Sequence, residues 1–172
     1  MSVPCNVGAG YISKSRNRAG LCASAVLCAF VASSAAAECR PDRITVAGDW
    51  GHASFTIELA DEPSERAQGL MHVEQMPLMQ GMLFVYETPQ HATFWMRNTL
   101  IPLDMLFADA TGRITVVHPN AIPLDESIVD GGEGVLFVLE INGGMAQRLG
   151  IEPGDLLAHP SIGEEAELSC DD

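Results

Sequence analysis

The spacing of apolar positions along the chain predicts a series of short strands. Residues 52–59 alternate polar and apolar side chains, which is the period-2 pattern of a strand with one buried face. Other apolar stretches of strand length predict further strands at 43–47, 81–86, 91–96, 103–108, 113–118, 135–141 and 155–158. Thr88 and Pro89 predict a turn, and the turn-rich stretch 119–133 predicts an irregular segment.

Two short helices are predicted between these strands. Asp61 is a favoured N-cap, Pro63 fits a first helical turn, and Gly69 can end the helix, so a helix is predicted over 62–68. A second helix is predicted over 143–149. Many short strands with two small helices predict an α+β fold that is mainly β. We expect a compact barrel-like or sandwich-like domain with an antiparallel or mixed sheet.

Residues 1–37 have the layout of a secretory signal peptide. A basic region at 14–18 precedes the apolar stretch 19–34, and three alanines at 35–37 offer a cleavage site. An uncleaved anchor is the alternative, although the apolar stretch is short for a membrane-spanning helix. We expect cleavage, a periplasmic or secreted location, and no stable membrane insertion afterwards. The remaining chain would divide into an N-terminal segment 38–54, a folded domain 55–158 and an acidic, loosely ordered tail 159–172.

Charge and cysteine content narrow the functional classes. The full chain has a net charge of −14, and loss of the three basic residues of the leader brings it to −17. Such a surface repels phosphate backbones, so nucleic-acid binding is not expected. Cys39 and Cys170 are the cysteines outside the leader, and an isolated pair in an oxidising compartment usually forms a disulfide. Such a bond would stabilise the fold by about 4–5 kcal/mol in the loop-entropy model; two free thiols are the alternative.

Polar residues inside the apolar run 94–104 are the first candidates for a site. Burying polar groups costs free energy unless each has a partner, so the run holds either a structural network or a ligand site. Arg97 can bind a carboxylate or a hydroxyl group. In the structural alternative, Arg97 pairs with Glu140 or Asp104 and only fixes the strand register. The candidate ligand-binding residues are Trp95, Arg97, Asn98, Thr99, Asp104 and Glu140.

Several blocks of sequence follow one another in an order that resembles a known family. They are 66–71 (RAQGLM), 81–85 (GMLFV), 94–104 (FWMRNTLIPLD), 112–114 (GRI), 139–144 (LEINGG) and 149–155 (LGIEPGD). Over roughly residues 55–157 the chain closely resembles domain-of-unknown-function family 192 (DUF192), which is found in many bacteria, often behind a signal peptide. The resemblance implies a small β-rich domain and brings no accepted activity.

Arg66, Met71 and His72 are secondary candidates because they lie in or beside the first of these blocks. Many family members carry an arginine two residues after the methionine that corresponds to Met71, and this chain has Val73 there. The resemblance therefore implies that a site using this arginine is lost here or uses His72 differently.

Three further functions stand as alternatives to small-ligand binding. Met76, Met79 and Met82 carry thioethers that suit Cu(I), which indicates a copper carrier, although methionine is also a flexible core residue. Residues 143–155 resemble the helix-to-strand segment of PDZ domains, which indicates a peptide-binding module. A periplasmic hydrolase using Asp or Glu side chains is the third alternative. The sequence contains no nucleophile-elbow, P-loop or zinc-protease motif.

The sequence as a whole therefore predicts an exported protein of uncharacterised function. We expect a non-catalytic domain that binds a small polar ligand or serves as an accessory protein of the cell envelope. Its expected partner is an unidentified small polar ligand or an envelope protein, and no cofactor or metal is predicted.

Overall fold

A computed structural model describes residues 39–170 and places seven strands in one curled sheet. The strands are β1 (Arg43–Gly48), β2 (Gly51–Ala60), β3 (Gln80–Phe94), β4 (Leu103–Ala108), β5 (Ile114–Ala121), β6 (Val129–Asn142) and β7 (Leu156–Ala158). Two short helices, α1 (Pro63–Gln68) and α2 (Met145–Leu149), and a 3₁₀ helix (Pro160–Glu165) complete the fold. The strand order is β5-β4-β6-β3-β2-β1-β7, and β2 and β3 pair in parallel while the other neighbours are antiparallel.

The two outer strands of the sheet meet each other at one end. Ile114 N donates to Asp155 O at 2.8 Å, and Leu157 N donates to Gly112 O at 2.8 Å. These bonds join the start of β5 to β7 and curl the sheet into a half-barrel. The predicted α+β, mainly β, barrel-like fold is confirmed.

The central strands are buried on both faces, which explains their continuous apolar sequences. In β4, Leu106 faces one apolar cluster that fills the inside of the curl, whereas Met105 and Phe107 face a second cluster. Leu70 and Met96 also belong to the second cluster, although they lie outside the strands. The segments after α1 and after β3 therefore cover this outer face of the sheet.

The predicted helix start and the predicted turn at Thr88-Pro89 are wrong. The N-cap of α1 is Glu62, whose N–H donates to Glu65 Oε2 at 3.3 Å. β3 runs as one strand through Thr88 and Pro89, with register shifts against β6 between Val85 and Gln90 and up to Thr93. An irregular part of a strand absorbs the proline, because a bulge tolerates a missing backbone donor.

The segment predicted to be irregular, 119–133, and the tail are more ordered than expected. β5 continues to Ala121 and β6 begins at Val129, so residues 122–128 connect the two strands. The tail forms the 3₁₀ helix, whose Ile162 side chain is buried in the first cluster, and Glu167 pairs with Arg113. An acidic composition predicted a loose tail, but one apolar anchor and one ion pair order it.

A disulfide joins the first and last described residues, as predicted for the isolated pair of cysteines outside the leader. Cys39 and Cys170 are bonded with their Cα atoms 5.2 Å apart, across a separation of 131 residues. The predicted signal peptide at 1–37 lies outside the described residues. Within residues 39–170, no helix is long and apolar enough to span a membrane.

Candidate functional site

A cavity of about 240 Å³ lies on the outer face of the sheet, between the α1 segment and the region around the end of β3. Aromatic and other apolar residues line it together with several polar side chains. The aromatic lining residues are Phe84, Tyr86, Phe94 and Trp95, and the charged and hydroxyl-bearing ones include Arg66, Thr93, Thr99 and Glu140. Phe84 and Phe94 contact each other edge to face, with ring centroids 5.2 Å apart. A rigid apolar wall with few polar groups is the usual composition of a small-ligand site.

Glu140 is the only carboxyl among the described residues that line this cavity. Its neighbours across the sheet are Met82 on β3 and Met105 on β4, so apolar side chains flank it on both sides. The residue is 4% exposed, and its carboxyl forms no hydrogen bond with any described residue. Every fully enclosed polar side-chain atom of the described residues has a hydrogen-bond partner. Because the carboxyl oxygens of Glu140 have no such partner, they are not fully enclosed and lie open to the cavity.

Burial raises the pKa of Glu140 to about 8. A carboxyl surrounded by methionine side chains loses the water that stabilises its charged form, and no neighbouring donor replaces it. At neutral pH the group is therefore mainly a neutral acid, which can donate one hydrogen bond and accept others. Strongly perturbed acids of this kind are concentrated at functional sites.

Tyr86 and Arg66 form the wall beside Glu140. Burial raises the pKa of Tyr86, the Arg66 charge opposes this rise, and Glu140 adds to it. The Arg66 guanidinium lies 5.2 Å from the Tyr86 ring centroid. It donates to Val85 O at 2.8 Å and to Glu87 Oε1 at 2.8 Å, and it also bonds Asp61 O. These contacts fix Arg66 and offset its charge, so it holds the tyrosine wall in place.

The predicted residues of the 94–104 run occupy different places. Trp95 and Thr99 line the cavity: Trp95 is 47% exposed and stands at the rim, and Thr99 is buried. Arg97 is exposed and does not line the cavity; its guanidinium lies 5.5 Å from the Trp95 ring centroid. It forms no ion pair with Glu140 or Asp104 within the described residues, so the internal pairing of the structural alternative is not observed there. A ligand role for Arg97 stays a prediction.

Asp104 belongs to a structural network on the other face of the sheet. Its register partner on β6 is Ile141 rather than Glu140, and successive side chains of a strand face opposite ways. Asp104 is fully buried and accepts from Asn120 N at 2.8 Å, Gly144 N at 2.8 Å and Ala146 N at 2.7 Å. The carboxylate thereby ties the end of β5 to the start of α2.

Asn98 connects the two segments that border the cavity. It adopts a left-handed backbone conformation (φ 57°), and its Nδ2 donates to Met71 Sδ at 3.8 Å. The backbone of His72 donates to Asn98 O at 2.9 Å. Of the secondary candidates, Arg66 and Met71 line the cavity, whereas the exposed His72 does not.

The site residues that sequence reasoning missed are the aromatic residues of β3. Phe84 and Tyr86 share a strand face with Met82, because the three are spaced by two residues. Two features of the sequence could have indicated them. Tyr86 ends the predicted apolar strand 81–86, and Glu140 is the one charged residue of the predicted strand 135–141. Nothing in the sequence indicated that α1 would leave an opening above these two positions.

The features behind the other functional alternatives lie elsewhere in the structure. Met82 is packed in the second apolar cluster, with Met76 against it, whereas Met79 is partly exposed. The sheet edges that a peptide would extend, on β5 and β7, bond to each other where they meet. A larger depression of about 630 Å³ beside Trp50 contains Asp155, whose Oδ2 already accepts from Trp50 Nε1 at 2.7 Å.

The fold and the cavity define a small, mainly β domain in which a buried acid without a hydrogen-bond partner among the described residues lines a partly aromatic cavity. The family model DUF192, described as "Uncharacterized ACR", matches residues 44–159, and the chain belongs to this family. The match begins before residue 55, so the family domain includes β1.

Two solved structures of related proteins share the fold. A protein of unknown function from Novosphingobium aromaticivorans DSM 12444 is 45% identical, with a TM-score of 0.66, over 67% of this chain and 82% of its own. A protein from Sinorhizobium meliloti 1021, described as a candidate transcription regulator, is also 45% identical, with a TM-score of 0.65, over 67% of this chain and 90% of its own. No curated protein matches the chain.

Proposed function

We propose that the protein is an exported, non-catalytic domain that binds a small polar ligand in the cavity above Glu140. The observation that carries this proposal is a carboxyl that is 4% exposed, has no hydrogen-bond partner among the described residues, and faces an open cavity. Burying an unpartnered polar group costs free energy. A ligand that supplies the missing partner recovers that free energy as affinity.

The surroundings of Glu140 support a ligand role over a structural one. Met82 and Met105 flank it on the neighbouring strands, so an apolar side chain at this position would extend the second cluster. Replacing a buried charged or polar group by a well-packed apolar one is often stabilising. Asp104 shows the contrasting arrangement, since its carboxylate is fully used by three backbone donors.

The size and lining of the cavity indicate the size of the ligand. Pockets for drug-sized molecules measure about 300–1,000 Å³, and this one, at about 240 Å³, is smaller. A ligand of the size of an amino acid or a monosaccharide fits this space. Tyr86 and Trp95 offer flat apolar surfaces for its carbon skeleton.

Export is supported by the leader-like residues 1–37 and by the disulfide between Cys39 and Cys170. The net charge of −14 disfavours DNA binding, so the regulator description of the Sinorhizobium protein is not extended to this chain. Hydrolysis by two carboxylates is also disfavoured, because one carboxyl lines the cavity within the described residues.

A thermal-shift screen tests this proposal. The full chain is expressed with its leader, and the protein is purified from the periplasm and mixed with sugars, amino acids, amines and short peptides. A ligand that binds the native state raises the melting temperature. We expect at least one class to do so, and the shift to vanish in Glu140→Gln.

The exposed Glu164 provides the matched control. Glu164→Gln makes the same side-chain change at a residue that does not line the cavity, so this variant is expected to keep the ligand response. Shifts of equal size in Glu140→Gln and the wild type would contradict the proposed site. A screen without any response would contradict the proposed function.

A further inference from the structure

We infer that the ligand carries a protonated amine, which binds the Glu140 carboxylate beneath the aromatic walls of the cavity. This inference rests on the proposed function and adds the chemical class of the ligand. Three features carry it: a carboxyl without a partner among the described residues, aromatic residues in the cavity lining, and a strongly acidic protein.

The Glu140 carboxyl needs a hydrogen-bond donor that the protein does not supply. None of the other polar side chains that line the cavity forms a hydrogen bond with Glu140; they are Arg66, Gln68, Tyr86, Thr93 and Thr99. Arg66 is held by Val85 O and Glu87 and forms no hydrogen bond with Glu140. A donor must therefore come from the ligand, and hydrogen bonds from an ammonium to a carboxylate are about twice as strong as those between neutral groups.

The aromatic lining favours a cation over a neutral hydroxyl compound. Ring faces attract positive groups, and the attraction grows where water is excluded. Two lining rings of this site already hold cations, because Arg66 lies 5.2 Å from Tyr86 and Arg97 lies 5.5 Å from Trp95. An ammonium on Glu140 would lie in a cavity whose lining includes Phe84, Tyr86 and Trp95.

The net charge of the whole protein also favours a cationic ligand. A net charge of −14 creates a negative potential that concentrates cations near the surface. The positive charge of Arg66 opposes binding of a cation at the cavity. Glu87 Oε1, at 2.8 Å, and backbone carbonyl oxygens partly offset this charge.

Binding of an amine is coupled to release of a proton. Burial raises the pKa of Glu140 to about 8, so below that pH the carboxyl must lose its proton before it pairs with an ammonium. Tyr86, which also lines the cavity, stays neutral between pH 6 and 8 because burial raises its pKa. Amine affinity therefore increases about tenfold for each pH unit from 6 to 7.5.

Calorimetric titration with matched pairs of compounds tests this inference. Cyclohexylamine is compared with cyclohexanol, and putrescine with 1,4-butanediol, at pH 6, 6.75 and 7.5 in two amine-free buffers of different ionisation enthalpy. We expect each amine to bind at least tenfold more tightly than its alcohol at pH 7.5. The difference in heat between the buffers reports the release of about one proton per amine at pH 6.

Two variants and one control assign the effect to Glu140. Glu140→Gln preserves the shape of the side chain and is expected to remove both the preference for amines and the pH dependence. Trp95→Leu removes a ring at the rim, and we expect weaker amine binding with the same pH dependence. Glu164→Gln, at an exposed position in the 3₁₀ helix, is expected to match the wild type.

The outcomes separate this inference from the proposed function. If alcohols bind as tightly as amines, or amine binding is independent of pH, the ammonium assignment is overturned while the small-ligand site stands. The same holds if sugars or amino acids raise the melting temperature and neither amine binds. If no compound in either experiment binds, both proposals are overturned.

Discussion

Replacing Glu140 by glutamine should change how the stability of this protein depends on pH. In the unfolded chain the Glu140 carboxyl ionises near its ordinary pKa of 4.5, and in the folded protein burial raises this pKa to about 8. Between these values the unfolded state has lost a proton that the folded state keeps, so the free energy of unfolding falls as the pH rises. Below pH 4.5 the carboxyl is protonated in both states, so it no longer makes the free energy of unfolding depend on pH.

The size of the effect follows from the two pKa values. A difference of one unit corresponds to about 1.4 kcal/mol, so the rise from 4.5 to about 8 sets an upper limit of about 5 kcal/mol. Glutamine has a similar shape and does not ionise. We therefore expect Glu140→Gln to gain up to about 4 kcal/mol relative to the wild type between pH 5 and pH 8.

Urea denaturation measures this gain directly. The free energy of unfolding is extrapolated to water at pH 5, 6.5 and 8 for the wild type, Glu140→Gln and the exposed control Glu164→Gln. Other titrating groups cancel in the difference between variants. If the difference between wild type and Glu140→Gln is constant within about 0.5 kcal/mol across this range, the carboxyl is not buried as described. In that case the main support for the cavity site would be lost.

Three further predictions concern the residues around this site and the ends of the domain. Asp104→Ala should lower the free energy of unfolding by at least about 3 kcal/mol in urea, because three backbone donors lose their acceptor; a loss below about 1 kcal/mol would contradict the network. Arg97→Ala should change stability by less than about 1 kcal/mol, since its ring contact with Trp95 is exposed; a melting curve far below the wild type would refute this. Reduction of the Cys39–Cys170 bond should lower the free energy of unfolding by up to about 4–5 kcal/mol, and an unchanged urea midpoint under reductant would show that the bond does not constrain the unfolded chain.

Most strands could be predicted from the sequence, because each is a short run with a clear apolar period and turn residues beside it. The strand predicted at 52–59 became β2, and that predicted at 103–108 became β4 with the same bounds. The errors arose where long-range pairing outweighed local preference. Pro89 predicts a turn, yet pairing of β3 with β6 on both sides of it keeps the chain extended. In the same way, the end of β3 supplies the partner for residues 129–132, which extends β6 into the stretch predicted to be irregular.

The candidate site was predicted less well, since a cavity depends on how separate segments pack. The lone polar positions within apolar strands, Glu140 and Asp104, were correctly identified as unusual, but the sequence does not tell on which face of a strand each one lies. The register between β4 and β6 separates them, so one carboxyl joins the structural network and the other faces the cavity. Arg97 was a candidate because it is a charged residue in an apolar run. The turn that contains it places its side chain at the surface.

The bond between Cys39 and Cys170 also has a mechanical consequence. Tension applied to the chain on either side of the domain would pass through two sulfur atoms and leave the sheet unloaded, because the bonded residues have Cα atoms only 5.2 Å apart. Pulled in an optical trap by handles attached before Cys39 and after Cys170, the oxidised protein should therefore show no unfolding step. Reducing the bond would expose the whole stretch between the two cysteines, which are 131 positions apart in the sequence, to the force.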